Sequence, residues 1–365
     1  LEKKLRSSSQ RLSLSPFGAA MAALLLIAAA TLLSNSRWSS SDHEEILPWP
    51  GEAEAVAVQA EELDGENVSG LEYESDASGS VVLWAVRNDP SVLYKLTRAG
   101  DAWQPAGSDW AGGRTLVYPD GEGVPDSEAL TLAGSGPERR VYVATERDNL
   151  APEESSLKIL RFDPSAMPLG SSTRLTAEQD WDLTGQPGLR SEPNTGFEGI
   201  AYVPDDVLQS HRFRDESTGD LYDPDDYGDH GDGAFFLGLE ETGMVYGFIL
   251  SLDGSSRRIA TIDTGMPMVA ELEFDADSAA LWALCDNVCD GESTLMSFVA
   301  NGSFIGTQLV PTVWYGRPAS MPNLNNEGFT ITARTECSDG SRPVYWTDDD
   351  ATDHVTLREG RLGCS

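Results

Sequence analysis

The chain repeats itself five times, and this constrains its fold more than any other feature. Ser69-Gly70-Leu71-Glu72-Tyr73 aligns with Glu128-Ala129-Leu130-Thr131-Leu132, Glu198-Gly199-Ile200-Ala201-Tyr202, Ala270-Glu271-Leu272-Glu273-Phe274 and Glu327-Gly328-Phe329-Thr330-Ile331. About one hairpin after each comes a second apolar-aromatic run: "LWAVRND" from Leu83, "VYVATER" from Val141, "FFLGLEE" from Phe235, "LWALCDN" from Leu281 and "VYWTDDD" from Val344. A third run follows in every copy: "VLYKLT", "SLKILRF", "MVYGFIL", "TLMSFVA" and "VTLREGRL". These runs alternate with Gly, Asp, Asn, Ser and Pro clusters, and helical periodicity is almost absent after residue 50, so the chain reads as all-β.

A sheet of about four strands cannot bury both faces alone and must stack on its neighbours. Repetition of such sheets predicts a β-propeller of five blades around a channel. A sixth blade, the alternative, would have to come from residues 45–62, which lack the column. The repeats lie roughly 60 to 70 residues apart, wider than the ~40–50 of compact blade repeats, so long loops decorate the blades. The longest is an Asp- and Gly-rich insertion, 205–233. It fails as an EF-hand: with Asp223 at position one, Gly228 falls at six, but Ala234 stands where the bidentate glutamate belongs. A solvated acidic loop or a calcium site of another type remain as its two readings.

The N-terminal 36 residues are set apart. Lys3, Lys4, Arg6 and Arg11 precede an apolar run from Phe17 to Leu33, the pattern of a signal peptide or of an N-terminal membrane anchor. Residues 37–52 read as a linker and 53–365 as one propeller domain, secreted or otherwise extracytoplasmic. Touching the membrane is expected only through an uncleaved leader, and a monomer is expected. Four cysteines, 285, 289, 337 and 364, are read as two disulfides, Cys285–Cys289 and Cys337–Cys364. With 60 Asp+Glu against 25 Lys+Arg, a net charge of −35, the surface repels nucleic acid, and a polyanionic substrate needs bound cations to reverse the local field.

The first strand of a blade lines the channel, so Glu128, Glu198 and Glu327 are expected to converge at one mouth, with Ser69 and Ala270 at the equivalent places. Like charges that close need protons or a cation, and calcium takes oxygen ligands in loose geometry. Asn67, Asp126 and Asn325, near the same column, offer further oxygens. The competing reading is that each glutamate caps neighbouring amides and locks blade to blade. A second polar column, Asn88, Glu146, Glu240, Asp286 and Asp349, closes each second strand, and its four acids are candidate general bases. Arg87 and Arg147 are candidate substrate-binding groups, since a phosphate needs such partners. No G-x-S-x-G, H-E-x-x-H or G-x-x-x-x-G-K-[ST] occurs.

The E-G-[IF]-[AT] columns, "LWALCDNVC" and the ending "NNEGFTI...VYWTDDD...GRLGC" resemble exported bacterial proteins of the phytase-like propeller family, labelled "esterase-like activity of phytase". The resemblance spans about residues 55 to 365. It implies a propeller with hydrolytic activity on ester or phosphoester bonds of a small molecule, assisted by calcium. The alternative is a non-catalytic extracellular binding module whose carboxylates hold a structural cation.

Overall fold

The computed structural model describes residues 45–65, 67–75, 79–166, 173–300, 302–303 and 305–364. The expected leader, 1–36, and the first part of the linker, 37–44, lie outside the described residues. Five sheets follow one another along the chain, and each opens on one of the five aligned segments. The inner strands are Val68–Ser75, Pro125–Ala133, Phe197–Pro204, Glu271–Asp275 and Asn326–Ile331. Each packs on the next, and the fifth packs back on the first, which closes a five-bladed propeller.

Within each blade the second and third strands are antiparallel neighbours, as the repeated runs require. Blade three is the plainest, with Phe197–Pro204, Gly233–Leu239, Met244–Leu250 and Ser256–Asp263 in spatial order. Blade one departs from the four-strand plan: Ala102–Pro105 joins one stretch of its third strand, Val92–Ala99, and Arg174–Thr176 adds in parallel to Arg114–Val117. Blade five takes its outer strand from the other end of the chain, Val56–Ala57, paired antiparallel to Leu357–Gly363. The stretch read as linker also contributes: Trp49 is buried against Trp282, Phe329 and Trp346.

The second strands are apolar on nearly every residue because both of their faces are buried. Successive side chains alternate faces, so Leu83 and Ala85 pack toward blade five while Trp84 and Val86 pack toward blade two. The same division at every blade yields five apolar clusters, one for each blade-to-blade interface. Two disulfides, Cys285–Cys289 and Cys337–Cys364, pair as expected.

Near the axis the strands approach too closely for side chains. A Cβ on Gly199 would stand 2.8 Å from the Leu272 nitrogen, and one on Gly70 would stand 2.8 Å from the Ala129 Cα. A Cβ on Gly328 would meet the Ser69 carbonyl oxygen of the first blade. The small residue after the axial column is therefore where one inner strand touches the next. We expect Gly199→Ala to destabilise the fold by about 1–3 kcal/mol through overpacking against backbone. Gly228→Ala, in the insertion and facing open space, should stay within about 0.5 kcal/mol. Chemical denaturation of the two variants checks this, and equal stabilities would refute the close-approach account.

Candidate functional site

The axial column owes its direction to β-bulges. Pairing between first and second strands slips by one residue between Val68 and Gly70, Ser127 and Ala129, Phe197 and Gly199, and Asn326 and Gly328. The residue passed over is Ser69, Glu128, Glu198 or Glu327. A bulge adds a residue, bends the strand and re-aims its side chain, so each of these points away from its own ladder. This is how a glutamate comes to stand at the head of a buried strand.

The bulges bring the carboxylates together. Glu128, Glu198 and Glu327 each place an oxygen within 4.8 Å of the other two. Two further triplets obey the same limit, Asp126–Glu128–Glu146 and Glu146–Glu198–Glu240. Six acids from three blades thus form one continuous patch at a mouth of the axis, with Glu128, Glu146 and Glu198 each shared. All but Glu240 and Glu327 are buried.

Neighbours hold most of these groups. Glu146 accepts the Gly196 amide at 2.9 Å, a bond from the second column of blade two to the start of blade three. Asn88 donates to Glu128 at 3.3 Å, and Asn325 donates to Glu327 at 2.9 Å. Glu198 differs. Only 7% exposed, it receives no hydrogen bond among the described residues. Among the axial three, Glu128 and Glu327 accept from asparagine side chains, and it is Glu146 of the second column that caps a backbone amide.

Burial, reinforced by like charge, makes these carboxyls hold their protons. Glu128, Glu198 and Glu327 are all pushed well above the ordinary carboxylate range, first by desolvation. For Glu128 and Glu198 the neighbouring glutamates add to this, and for Glu327 the largest repulsion is from Asp349. Desolvation likewise lifts Glu146 to about 8 and Glu240 to about 7. Of the remaining candidate bases, Asp349 acts on the mouth through Glu327 and Glu128. Asp286 repels Glu240 and Glu327 but turns its own carboxylate onto the Val288 amide at 2.7 Å, capping the turn Asn287–Cys289.

The two arginines part company. Arg147 lies beside the acids, 2.5 Å from Asp126 and 3.9 Å from Glu146. Arg87, the other candidate for substrate binding, lies over the Tyr94 ring at 5.5 Å and forms no ion pair among the described residues. The reason is positional: Arg87 pairs with Val68 next to the bulge of blade one, where the axial column carries Ser69 rather than an acid.

A second acidic layer lies further along the inner strands. Glu271 and Glu273 are buried and pushed far up by desolvation, and partly exposed Glu72 is raised to about 7 for the same reason. Thr131 donates to Glu72 at 3.0 Å, and Thr330 and the Ile331 amide donate to Glu273 at 3.2 and 2.9 Å. These three escaped the sequence reading although they sit inside its aligned columns. The signal was there: Glu271 occupies the column that is Gly or Ala in every other blade.

The Asp-rich insertion folds into a short helix, Asp205–Ser210, and a 3-10 turn, Pro224–Asp226, with Asp223 capping the latter through the Asp225 amide. Among the described residues, no three of its acids converge on a point.

No model of a known protein family matches the chain, and no curated protein sequence matches it. Solved structures similar to it include a GH43_1 enzyme from Xanthomonas citri (9% identity, 84% of this chain and 90% of that one, TM-score 0.42). A hypothetical protein from Leishmania major shares 11% identity over 92% of this chain and 93% of its own, with a TM-score of 0.39. A putative 6-phosphogluconolactonase from Bacteroides uniformis shares 15% over 80% and 84%, with a TM-score of 0.38. At such distances no property of these proteins transfers to this chain.

The raised carboxyls set the sign of a pH effect. A carboxyl that titrates higher in the folded than in the unfolded chain binds more protons when folded, so stability falls as pH rises from about 4.5 toward 8. In the presence of a chelator, the melting temperature should fall by on the order of 5–10 °C between pH 5 and 8.5. Glu198→Gln removes one of the repelling charges and should flatten that slope in thermal melts. Parallel slopes for the two proteins would contradict the assignment of the strain to this cluster.

Proposed function

We propose that the chain is an exported, phytase-like propeller hydrolase whose reaction centre is the acid-lined axial mouth, loaded with calcium and acting on ester bonds. The observation that carries this reading is Glu198: a buried carboxylate without a hydrogen-bond donor, standing between Glu128 and Glu327 on one side and Glu146 and Glu240 on the other. Carboxylate oxygens from several strands, in loose rather than strict geometry, are the donor set that suits calcium. Glu128, Glu198 and Glu327 would hold it, and Asn325 orients Glu327 through its amide. A bound divalent cation polarises a carbonyl oxygen and makes water a better nucleophile.

The chain's own residues supply the proton transfers. Glu146 and Glu240, which titrate near 8 and 7, can each take or give a proton close to neutrality. Of the four candidate bases, these two share a triplet with Glu198. Burial raises the Asp126 carboxyl beside them, and Arg147 offsets part of that rise. Electrostatics favours the ester over the phosphoester. Among the described residues the mouth gathers six carboxylates with one neighbouring guanidinium, Arg147, which is already paired, and Arg87 lies over Tyr94. Export is supported by the leader pattern and by the two disulfides, which persist in oxidising compartments.

One observation favours the second reading, a binding module with a structural cation: Glu146 already ties blade two to blade three through Gly196. Hydrolysis of p-nitrophenyl acetate and p-nitrophenyl phosphate, with calcium and with chelator, separates the two. We expect calcium-dependent cleavage of the acetate, with kcat/KM reduced more than about a hundredfold in Glu198→Gln, and little phosphatase activity. No cleavage of either substrate, with calcium still raising the melting temperature, would overturn the enzyme and leave the binding module.

A further inference from the structure

The Asp-rich insertion has no part in the mouth, and its second arm, residues 223–232, depends on one buried side chain. His230, 8% exposed, is the only buried residue of that arm; Pro224 and Tyr227 are half-buried and the rest face solvent. Backbone bonds tie the arm at two points, the Asp205 amide to the Asp232 carbonyl at 2.8 Å and the Leu252 amide to the Asp229 carbonyl at 2.7 Å. Tyr227 adds a bond to Asp215. His230, Gly231 and Asp232 together form part of the wall of a cavity of about 240 Å³ between blades two and three.

Counting hydrogens around His230 fixes what it must carry. Nδ1 lies 2.7 Å from the Gly228 carbonyl oxygen, and a carbonyl only accepts, so Nδ1 bears a hydrogen. Nε2 lies 3.3 Å from one oxygen of Asp205 and 3.4 Å from the Tyr222 hydroxyl. Tyr222 has a single hydrogen, and it goes to the other Asp205 oxygen at 2.5 Å. A bare Nε2 would therefore set a lone pair against a carboxylate inside the protein, where an unpaired polar group is costly. One further proton has to lie between Nε2 and Asp205.

We propose that His230 and Asp205 form a pH-sensitive latch: the proton they hold between them at low pH keeps the arm down, and its loss as pH rises frees the arm and opens that wall of the cavity. The groups around the pair leave this proton to it. Tyr142, Tyr202, Tyr222 and Tyr227 are all pushed up by burial and stay protonated throughout. Across the cavity, Arg140 and Arg161 are drawn to Glu178 at 2.8 and 3.5 Å. Asp232 and Glu138, which also line it, and Asp206 and Asp229, next to the pair in the chain, are exposed to solvent. A histidine that gains a carboxylate partner on folding contributes stability at low pH and loses it as pH rises.

Hydrogen exchange read by mass spectrometry on the full chain, in chelator and corrected for the intrinsic pH dependence of exchange, tests the latch. Protection of the 223–232 peptide should fall about tenfold or more between pH 5.5 and 8.5. The fall should follow the same curve as the His230 imidazole, tracked by NMR and assigned by its loss in His230→Gln. That variant should make protection independent of pH. Asp205→Asn should do what a plain lost contact would not: its amide can donate to a bare Nε2, so protection persists at pH 8.5. Glu198→Gln, in the distant mouth, should leave the curve of the arm unchanged. The latch is refuted by flat protection in the parent chain, by a fall that survives His230→Gln or vanishes in Glu198→Gln, or by an Asp205→Asn arm that is unprotected at every pH.

Discussion

The structure depends on the contact of five inner strands around one axis. Ring closure forces each strand against the next at a distance that backbone can reach and side chains cannot, which is why Gly70, Gly199 and Gly328 stand where they do. Side chains just before that contact cannot remain in the ladder. The bulges turn them out toward the axis, and in three blades the side chain turned out is a glutamate. The tight packing that closes the ring and the charge collected at its mouth are one geometric fact.

That charge carries an energetic cost which the protein does not neutralise with its own cations. Arg147 compensates Asp126, but Glu128, Glu198 and Glu327 are left to hold protons against burial and mutual repulsion. Buried charge is tolerated when paired, protonated or bound to a cation, and here the first option is largely missing. In a chain of net charge −35, the surrounding surface gives no relief. A bound cation is what the proposed chemistry adds to a site short of positive charge, and this connects the fold's strain to that proposal.

The two ends of the strands divide the molecule's electrostatics. One end concentrates carboxylates, and the other pairs Arg140 and Arg161 with Glu178 beside the insertion. The insertion looked in sequence like a calcium loop or solvated ballast. It is neither a convergent acid cluster nor loose decoration, because Tyr222, Tyr227 and His230 bind its acids into a fixed network: Tyr222 and His230 to Asp205, Tyr227 to Asp215. Composition showed its charge. Only the fold showed that the charge is internally used.

The sequence by itself determined the class of fold, the number of blades, the first three strands of each, both polar columns and the disulfide pairs. These follow from alternation and repetition, which are local and are written directly in residue order. It did not determine that Glu198 lacks a donor, that Arg87 turns to Tyr94 while Arg147 joins the acids, or that Glu72, Glu271 and Glu273 form a second layer. Nor did it show that Val56–Ala57 completes blade five. Each of these depends on a one-residue slip in register or on which blade lies beside which. Such relations join residues far apart in the chain, and they exist only once the ring has closed.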